Sequence, residues 1–322
     1  MKNIIVTGAS GYVGSILIND LVMNKYNVSC YDDMRYGFNP VIAQLYNYSN
    51  FQFDLFDLTR FDDIPTWKQI ESKIEEADIL IHLAALVGYP ICEKNPELTK
   101  IVNVDLSKKL TDLCKKHNVK MIYSSTGSNY GKLDEICTEN SPVNPLTLYA
   151  KTKLEAESYI LDHCNSIAFR FATAFGLSPR LRLDLFINDM VYRAISDGSV
   201  IIYQPNHKRS FINVTDISRL ILHGIEKLSH EHGIYNAGDD KMNYTKEEVL
   251  LAIKDFIPKF YIAKGEYDSD RDQRDYIVSY EKLKNTGFKC NVNLKDGIER
   301  LINFLGLLDL KQIAIIGFNN QK

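Results

Sequence analysis

Tyr149 and Lys153, in the run Tyr149-Ala150-Lys151-Thr152-Lys153, are by type and spacing the pair in this chain best suited to move a proton. On a helix, residues four apart share a face, so the ammonium can lie beside the phenol. A free tyrosine titrates near 10, so service as a base at neutral pH asks for roughly three units, about 4 kcal/mol. A neighbouring Lys⁺ favours the phenolate and works in that direction. With 19 tyrosines in the chain, the spacing alone could arise by chance. Its position adds weight. The preceding apolar strand ends in Ser124-Ser125-Thr126-Gly127-Ser128-Asn129-Tyr130-Gly131, where a Ser or Thr hydroxyl can bond the oxygen that Tyr149 deprotonates. Ser125 and Ser128, taken singly, read as turn-formers.

A second constellation lies at the start of the chain, in Thr7-Gly8-Ala9-Ser10-Gly11-Tyr12-Val13-Gly14. It falls between an apolar strand and an amphipathic helix, the context in which a glycine pattern of this kind binds a dinucleotide. Gly8 permits a tight turn, Gly11 lets backbone approach a pyrophosphate, and Gly14 lets the helix pack on the strand. The helix start, with Tyr12 and Val13, adds N–H groups and a partial positive charge. Asp32, followed by Asp33, ends the next strand; a carboxylate there accepts the ribose hydroxyls of NAD and repels the extra phosphate of NADP. Arg35 keeps NADP as the minority option, and a plain structural turn with a solvated acid is the bland one. Asp54-Leu55, after the third strand, stands where a carboxylate could meet the adenine amino group, with Asp57 as competitor. Leu83-Ala84-Ala85 supplies small residues against a flat cofactor, and His82 before them reads as a hydrogen-bonded core histidine.

These residues need a frame, and the apolar pattern supplies one. Short apolar strands are expected at 3–7, 28–31, 51–53, 79–83, 121–124 and 167–171, with helices near 11–25, 101–116 and 147–162 between them. Alternating strand and helix over about 170 residues predicts a doubly wound parallel sheet. Beyond it the pattern is mixed, with helices over 183–196, 216–228 and 245–255 and strands at 200–203 and 211–214. The fold class expected is therefore α/β: a dinucleotide-binding domain over 1–172, joined by part of 211–235, and a smaller mixed α/β substrate lobe over 173–322.

Bulk properties exclude several functions. A formal net charge of -3 and a pI near 6.2 argue against binding nucleic acid by charge. The six cysteines show neither disulfide nor zinc spacing, so no metal site is expected and reduced thiols are the default. Met1-Lys2-Asn3 runs straight into a strand and no apolar stretch reaches the roughly 20 residues of a membrane span. A cytoplasmic protein without membrane contact is expected.

The combination of glycine turn, Asp32, Ser-Ser-Thr strand end and Tyr-x-x-x-Lys resembles the extended short-chain dehydrogenases of the nucleotide-sugar epimerase/dehydratase family, related to UDP-galactose 4-epimerase. The resemblance runs to about residue 300 and implies a Rossmann-type sheet. It implies Thr126 as catalytic hydroxyl, Tyr149 as acid/base, Lys153 as its partner, and Ser124, Asn103 and Ala172 at the cofactor or its loop. Thr173, Arg180, Arg182, Arg209 and Arg274 would face the substrate, the arginines suiting a diphosphate; each arginine could instead form a surface ion pair. The family's dehydratases carry Asp-Glu after the threonine, where this chain has Gly127 and Ser128. Its epimerase/reductases add a Cys and His pair, near whose places Thr126 and Arg180 stand. Dehydration and keto-reduction are thereby disfavoured. What remains is oxidation at C4 of a nucleotide-linked sugar, as a 4-epimerase or a net 4-dehydrogenase. The implied substrate is a GDP-, CDP- or UDP-linked sugar or heptose of a bacterial surface polysaccharide. A non-catalytic NAD-binding scaffold is the alternative. A homodimer through the helices around 98–116 and 147–162 is implied too, and the apolar segment 313–318 is expected to pack on the fold.

Overall fold

The computed structural model describes residues 1–266 and 275–309. In chain order its strands are β1 (Asn3–Thr7), β2 (Asn27–Asp32), β3 (Phe51–Leu55), β4 (Ile79–His82), β5 (Lys120–Thr126), β6 (Lys132–Cys137) and β7 (Ser166–Phe171). They continue as β8 (Thr173–Phe175), β9 (Ser199–Ile202), β10 (Lys208–Asn213), β11 (Gly233–Ala237), β12 (Asn243–Thr245), β13 (Tyr261–Lys264) and β14 (Asp275–Val278). Seven of them form the central sheet in the order β11-β7-β5-β4-β1-β2-β3, with every pairing parallel.

Helices cover both faces, so the inner strands β1, β4, β5 and β7 are buried on both sides and alternate residues enter different cores. Ile4 and Val6 of β1 pack with Leu17 and Ile18 of the helix Gly14–Met23. Ile5 points the other way, into the layer of Leu80, Met121, Tyr123 and Ile160. This explains why the strands read as continuous apolar runs rather than alternating ones. The chain winds outward from β1 to β3 and then returns to place β4 on the other side of β1. A crevice opens at the carboxyl ends where the winding reverses, the usual place for a ligand in such sheets.

The mixed lobe has its own core, in which Phe175, Ile187, Val191, Phe211, Val249, Ile253, Phe260, Ile298 and Leu301 meet. Its short sheets are β12-β10-β8 and β13-β9, while β14 pairs with β6. Several element boundaries differ from the sequence reading. The first helix begins at Gly14 rather than near Gly11, because residues 8–13 form the turn. The helix expected over 101–116 is divided into a π-helical segment, Ile101–Asp105, and an α-helix, Leu106–His117. Among the described residues no helix is long and apolar enough to cross a membrane. The segment 313–318 lies outside the described residues.

Candidate active site

The glycine turn closes against the β4 edge. Gly8 has φ +74°, and a Cβ on it would meet the Ala84 nitrogen at 2.6 Å; one on Gly14 would sit 2.2 Å from the Gly8 carbonyl oxygen. Both positions are therefore held to glycine by backbone contact. The helix start at Val13 has no side-chain cap; the Ser15 and Ile16 N–H groups bond the Gly11 and Val13 carbonyl oxygens, and those of Tyr12, Val13 and Gly14 are left for a ligand. An open helix N-terminus beside a turn too tight for any side chain fits a dinucleotide pyrophosphate.

Asp32 lines the same cleft. Its carboxylate accepts the backbone N–H of Ser10 at 3.0 Å and of Met34 at 2.7 Å. Burial raises its pKa, and those two hydrogen bonds oppose the rise. Arg35 donates to Asp33 through Nε at 2.7 Å and is thereby tied to that carboxylate. Asp33, Leu83, Ala84 and Ala85 also line the cleft. Asp54 and Leu55 do not. β3 continues through them, Leu55 is 67% exposed, and Asp57 and Leu58 line the cleft in their place. Asn103 is buried beneath the cleft, where its side chain accepts from the Leu86 N–H at 2.8 Å and donates to the Leu86 carbonyl at 3.0 Å. It holds the loop after β4. His82 bridges Thr7 Oγ1 at 2.7 Å and Ser107 Oγ at 2.9 Å. Burial drives its pKa down to about 3, so it is a neutral, satisfied core histidine.

Tyr149 lies at the start of the helix Leu148–His163, which Thr147 caps by accepting the Ala150 N–H at 3.2 Å. It faces the cleft together with Ser124, Thr126, Ala172 and Thr173. Thr126 ends β5, two residues beyond the expected strand end, and its hydroxyl accepts the Ser128 N–H at 3.1 Å. Lys153, one turn along the helix from Tyr149, is buried with its ammonium 4.1 Å from the centroid of the Tyr123 ring. Burial pulls its pKa down to about 7, with the Glu157 charge acting the other way. The unfolded chain binds that proton up to about pH 10, so stability should rise with pH between these limits. Lys153→Met should flatten that rise in urea midpoints taken across the window; an unchanged slope would show that the lysine is not the titrating group.

One more turn along the same face is Glu157, which the sequence reading did not single out. It is buried, accepts the Ser125 hydroxyl at 2.5 Å, and receives Arg170 through Nη2 at 2.6 Å and Nε at 3.1 Å. The pair clamps β5 and β7 to the helix directly below Thr126.

Residues 4–238 match the model of the NAD dependent epimerase/dehydratase family. This chain belongs to that family. It is 29% identical to an uncharacterized UDP-glucose epimerase of Bacillus subtilis, over 66% of this chain and 69% of that one. It is 25% identical to a UDP-glucuronate 4-epimerase of Thermodesulfobacterium geofontis, over 93% and 95% of the two chains. Among solved structures, the UDP-glucuronic acid 4-epimerase of Bacillus cereus in complex with UDP-glucuronic acid and NAD superposes with a TM-score of 0.82. That match covers 95% of this chain and 100% of that one at 23% identity, which shows a shared fold. The epimerase/dehydratase family is NAD-dependent, and the turn, the uncapped helix and Asp32 suit that cofactor.

The remaining expected site residues of this epimerase/dehydratase chain are spread over different surroundings. Arg180 and Arg182 line the same cleft as Asp32 and Tyr149. Arg209 is on β10, outside that cleft, buried with its guanidinium 5.8 Å from the Phe186 ring. Arg274 lies outside the described residues. Tyr36 and Tyr276 line the cleft although neither was expected there. The Tyr276 hydroxyl stands 3.4 Å from where a Cβ on Gly127 would be. It comes from β14, brought beside the site by pairing with β6, a contact with no local trace in the sequence.

Proposed function

We propose that this chain is a UDP-sugar 4-epimerase that oxidises and re-reduces C4 of the hexose, with Tyr149 as acid/base. The observation that carries the reading is the meeting of Tyr149, Thr126 and Ser124 in one cleft with the glycine turn and Asp32. Bound NAD supplies the acceptor for the C4 hydrogen and its electrons, and returns them. The chain does the proton work. Tyr149 takes the proton of the C4 hydroxyl, Thr126 bonds the same oxygen, and Lys153 in its charged form favours the phenolate. Gly127 and Ser128 offer no carboxylate to eliminate water, which supports epimerisation over dehydration. The names of the relatives support uridine diphosphate as the carrier.

In this reading residues 1–172, with part of 211–235, hold the dinucleotide, and the rest of 173–322 holds the sugar nucleotide. Arg209 is the arginine we assign to the substrate diphosphate and Thr173 to the sugar. We place the enzyme in the cytoplasm, for which its six unpaired cysteines are suited. We also propose that it acts as a homodimer through the helices around 98–116 and 147–162. The test is incubation with UDP-glucose, UDP-galactose and UDP-glucuronate, followed by NMR. A mixture of C4 epimers without net NADH is expected. A 4-keto product with stoichiometric NADH would sink the epimerase in favour of a net dehydrogenase, and turnover of GDP- or CDP-sugars alone would overturn the choice of base.

A further inference from the structure

The loop that follows β8 is stitched to the glycine turn itself. The Tyr12 hydroxyl donates to the Gly176 carbonyl at 2.7 Å, and the Ser178 hydroxyl donates to the Tyr12 carbonyl at 2.7 Å. Asn188 then fixes the loop from behind, accepting the Gly176 N–H at 2.9 Å and donating to the Arg182 carbonyl at 2.8 Å. A segment of the mixed lobe is thereby locked onto the glycine turn that leads into the helix Gly14–Met23. It carries two arginines into the cleft.

Their positions follow the line of the cleft. Arg180 packs its guanidinium 5.0 Å from the Tyr36 ring and lies close enough to Asp32 to feel its charge. Arg182 is bridged to Asp184 at 2.6 Å and lies within electrostatic reach of Tyr12 and Tyr149. The Tyr36 hydroxyl, near both arginines, is a buried oxygen without a hydrogen-bond partner among the described residues. A dinucleotide running from Asp32 at one end to Tyr149 at the other has its diphosphate between them, where these three groups gather. Burial, and after it the like charge of Arg182, lowers the pKa of Arg180. An anion between the two guanidinium groups would relieve both effects.

We propose that Arg180, Arg182 and Tyr36 clasp the diphosphate of the dinucleotide, so that a loop of the substrate lobe holds the cofactor rather than the sugar nucleotide. This reassigns both arginines from the substrate, and it rests on the functional reading above only in taking NAD as the dinucleotide. Because the clasp is tethered to Tyr12, the cofactor is enclosed by both lobes at once. Such enclosure suits an enzyme that returns the hydrogen it has taken without exchanging its cofactor.

Both diphosphates share the chemistry that arginine forks recognise, so the test measures each separately. Arg180→Ala, Arg182→Ala and the charge-keeping Arg182→Lys are purified, their bound NAD is counted after acid extraction, and calorimetry follows with NAD and with UDP. The alanine variants should bind NAD roughly 10- to 100-fold more weakly and UDP within about twofold of wild type. Arg182→Lys, which keeps a cation opposite Asp184, covers the case in which an alanine variant fails to fold; it should also lose NAD affinity because the fork is gone. Unchanged NAD affinity in the folded variants, or weakened UDP binding with NAD retained, would overturn the clasp. A wild-type chain that binds NAD yet turns over no nucleotide sugar would sink the functional reading and leave the clasp standing.

Discussion

Tyr149→Phe should lower kcat by about 10²- to 10⁴-fold while leaving bound NAD and the fold intact, the range expected when one positioned acid/base is removed. The substitution deletes one oxygen and keeps the ring, which packs on the small cluster of Leu86, Cys92 and Val102. No residual group replaces it well. His82 is buried and held neutral between two hydroxyls, and Lys153 is buried outside the cleft lining. Thr126 is too weak an acid to act alone. The measurement is steady-state turnover of a nucleotide sugar alongside NAD content and a urea midpoint. A kcat within about threefold of wild type would mean that the proton leaves by another route, since a general acid/base is worth more than that. Loss of NAD from the variant would mean instead that the hydroxyl is a cofactor anchor.

How much of this site could be read in advance depended on whether the residues concerned are local in sequence. The glycine turn, Asp32 and the Tyr149–Lys153 spacing are contiguous or one helical turn apart, so composition and period expose them. Strand ends were harder. β3 looked finished at Phe53 because Asp54 is polar, yet Asp54 pairs in register with Tyr31 and Leu55 with Asp32. A ladder of backbone hydrogen bonds continues through polar side chains when the neighbouring strand is present. The two extra residues push Asp54 and Leu55 out of the cleft and bring Asp57 in. The same effect carried β5 on to Thr126, which pairs with Phe171. β10 likewise begins at Lys208, earlier than its apolar run suggests, and so takes Arg209 into a buried strand position.

Long-range placement accounts for the rest. Tyr276 reaches the site through a pairing between β14 and β6, and Arg180 through hydrogen bonds to Tyr12 more than a hundred and fifty residues away in the chain. Neither has a periodic or compositional signature. Glu157 is a different case, because its signal was present. Tyr149, Lys153 and Glu157 recur every four residues, and an acid on the same inward face as a tyrosine and a lysine is an unusual thing to bury.

That burial leads to the second large effect. Glu157→Gln should destabilise the fold by about 3–5 kcal/mol, the usual result of removing one partner from a buried ion pair. The glutamine has nearly the same shape, so packing is conserved and the loss is electrostatic. Arg170 would keep its charge at a position where its side chain is 4% exposed, with Tyr130 Oη at 3.1 Å from Nη1 as a neutral partner. The carboxylate also anchors Ser125, the residue before Thr126, so a looser strand end should lower kcat as well. A double variant, Glu157→Gln with Arg170→Met, separates the two consequences. Removing both charges leaves no uncompensated Arg170, so part of the lost stability should return, short of what Lys153 loses with the carboxylate that supports its charge. The catalytic loss should persist, because the hydrogen bond to Ser125 is charge-assisted only with the carboxylate present. Urea unfolding of the two variants beside wild type measures the first effect and kcat the second. If Glu157→Gln cost less than about 1 kcal/mol, the pair would be no stronger than a solvated surface bridge, and the clamp between β5, β7 and the helix Leu148–His163 would have to be abandoned.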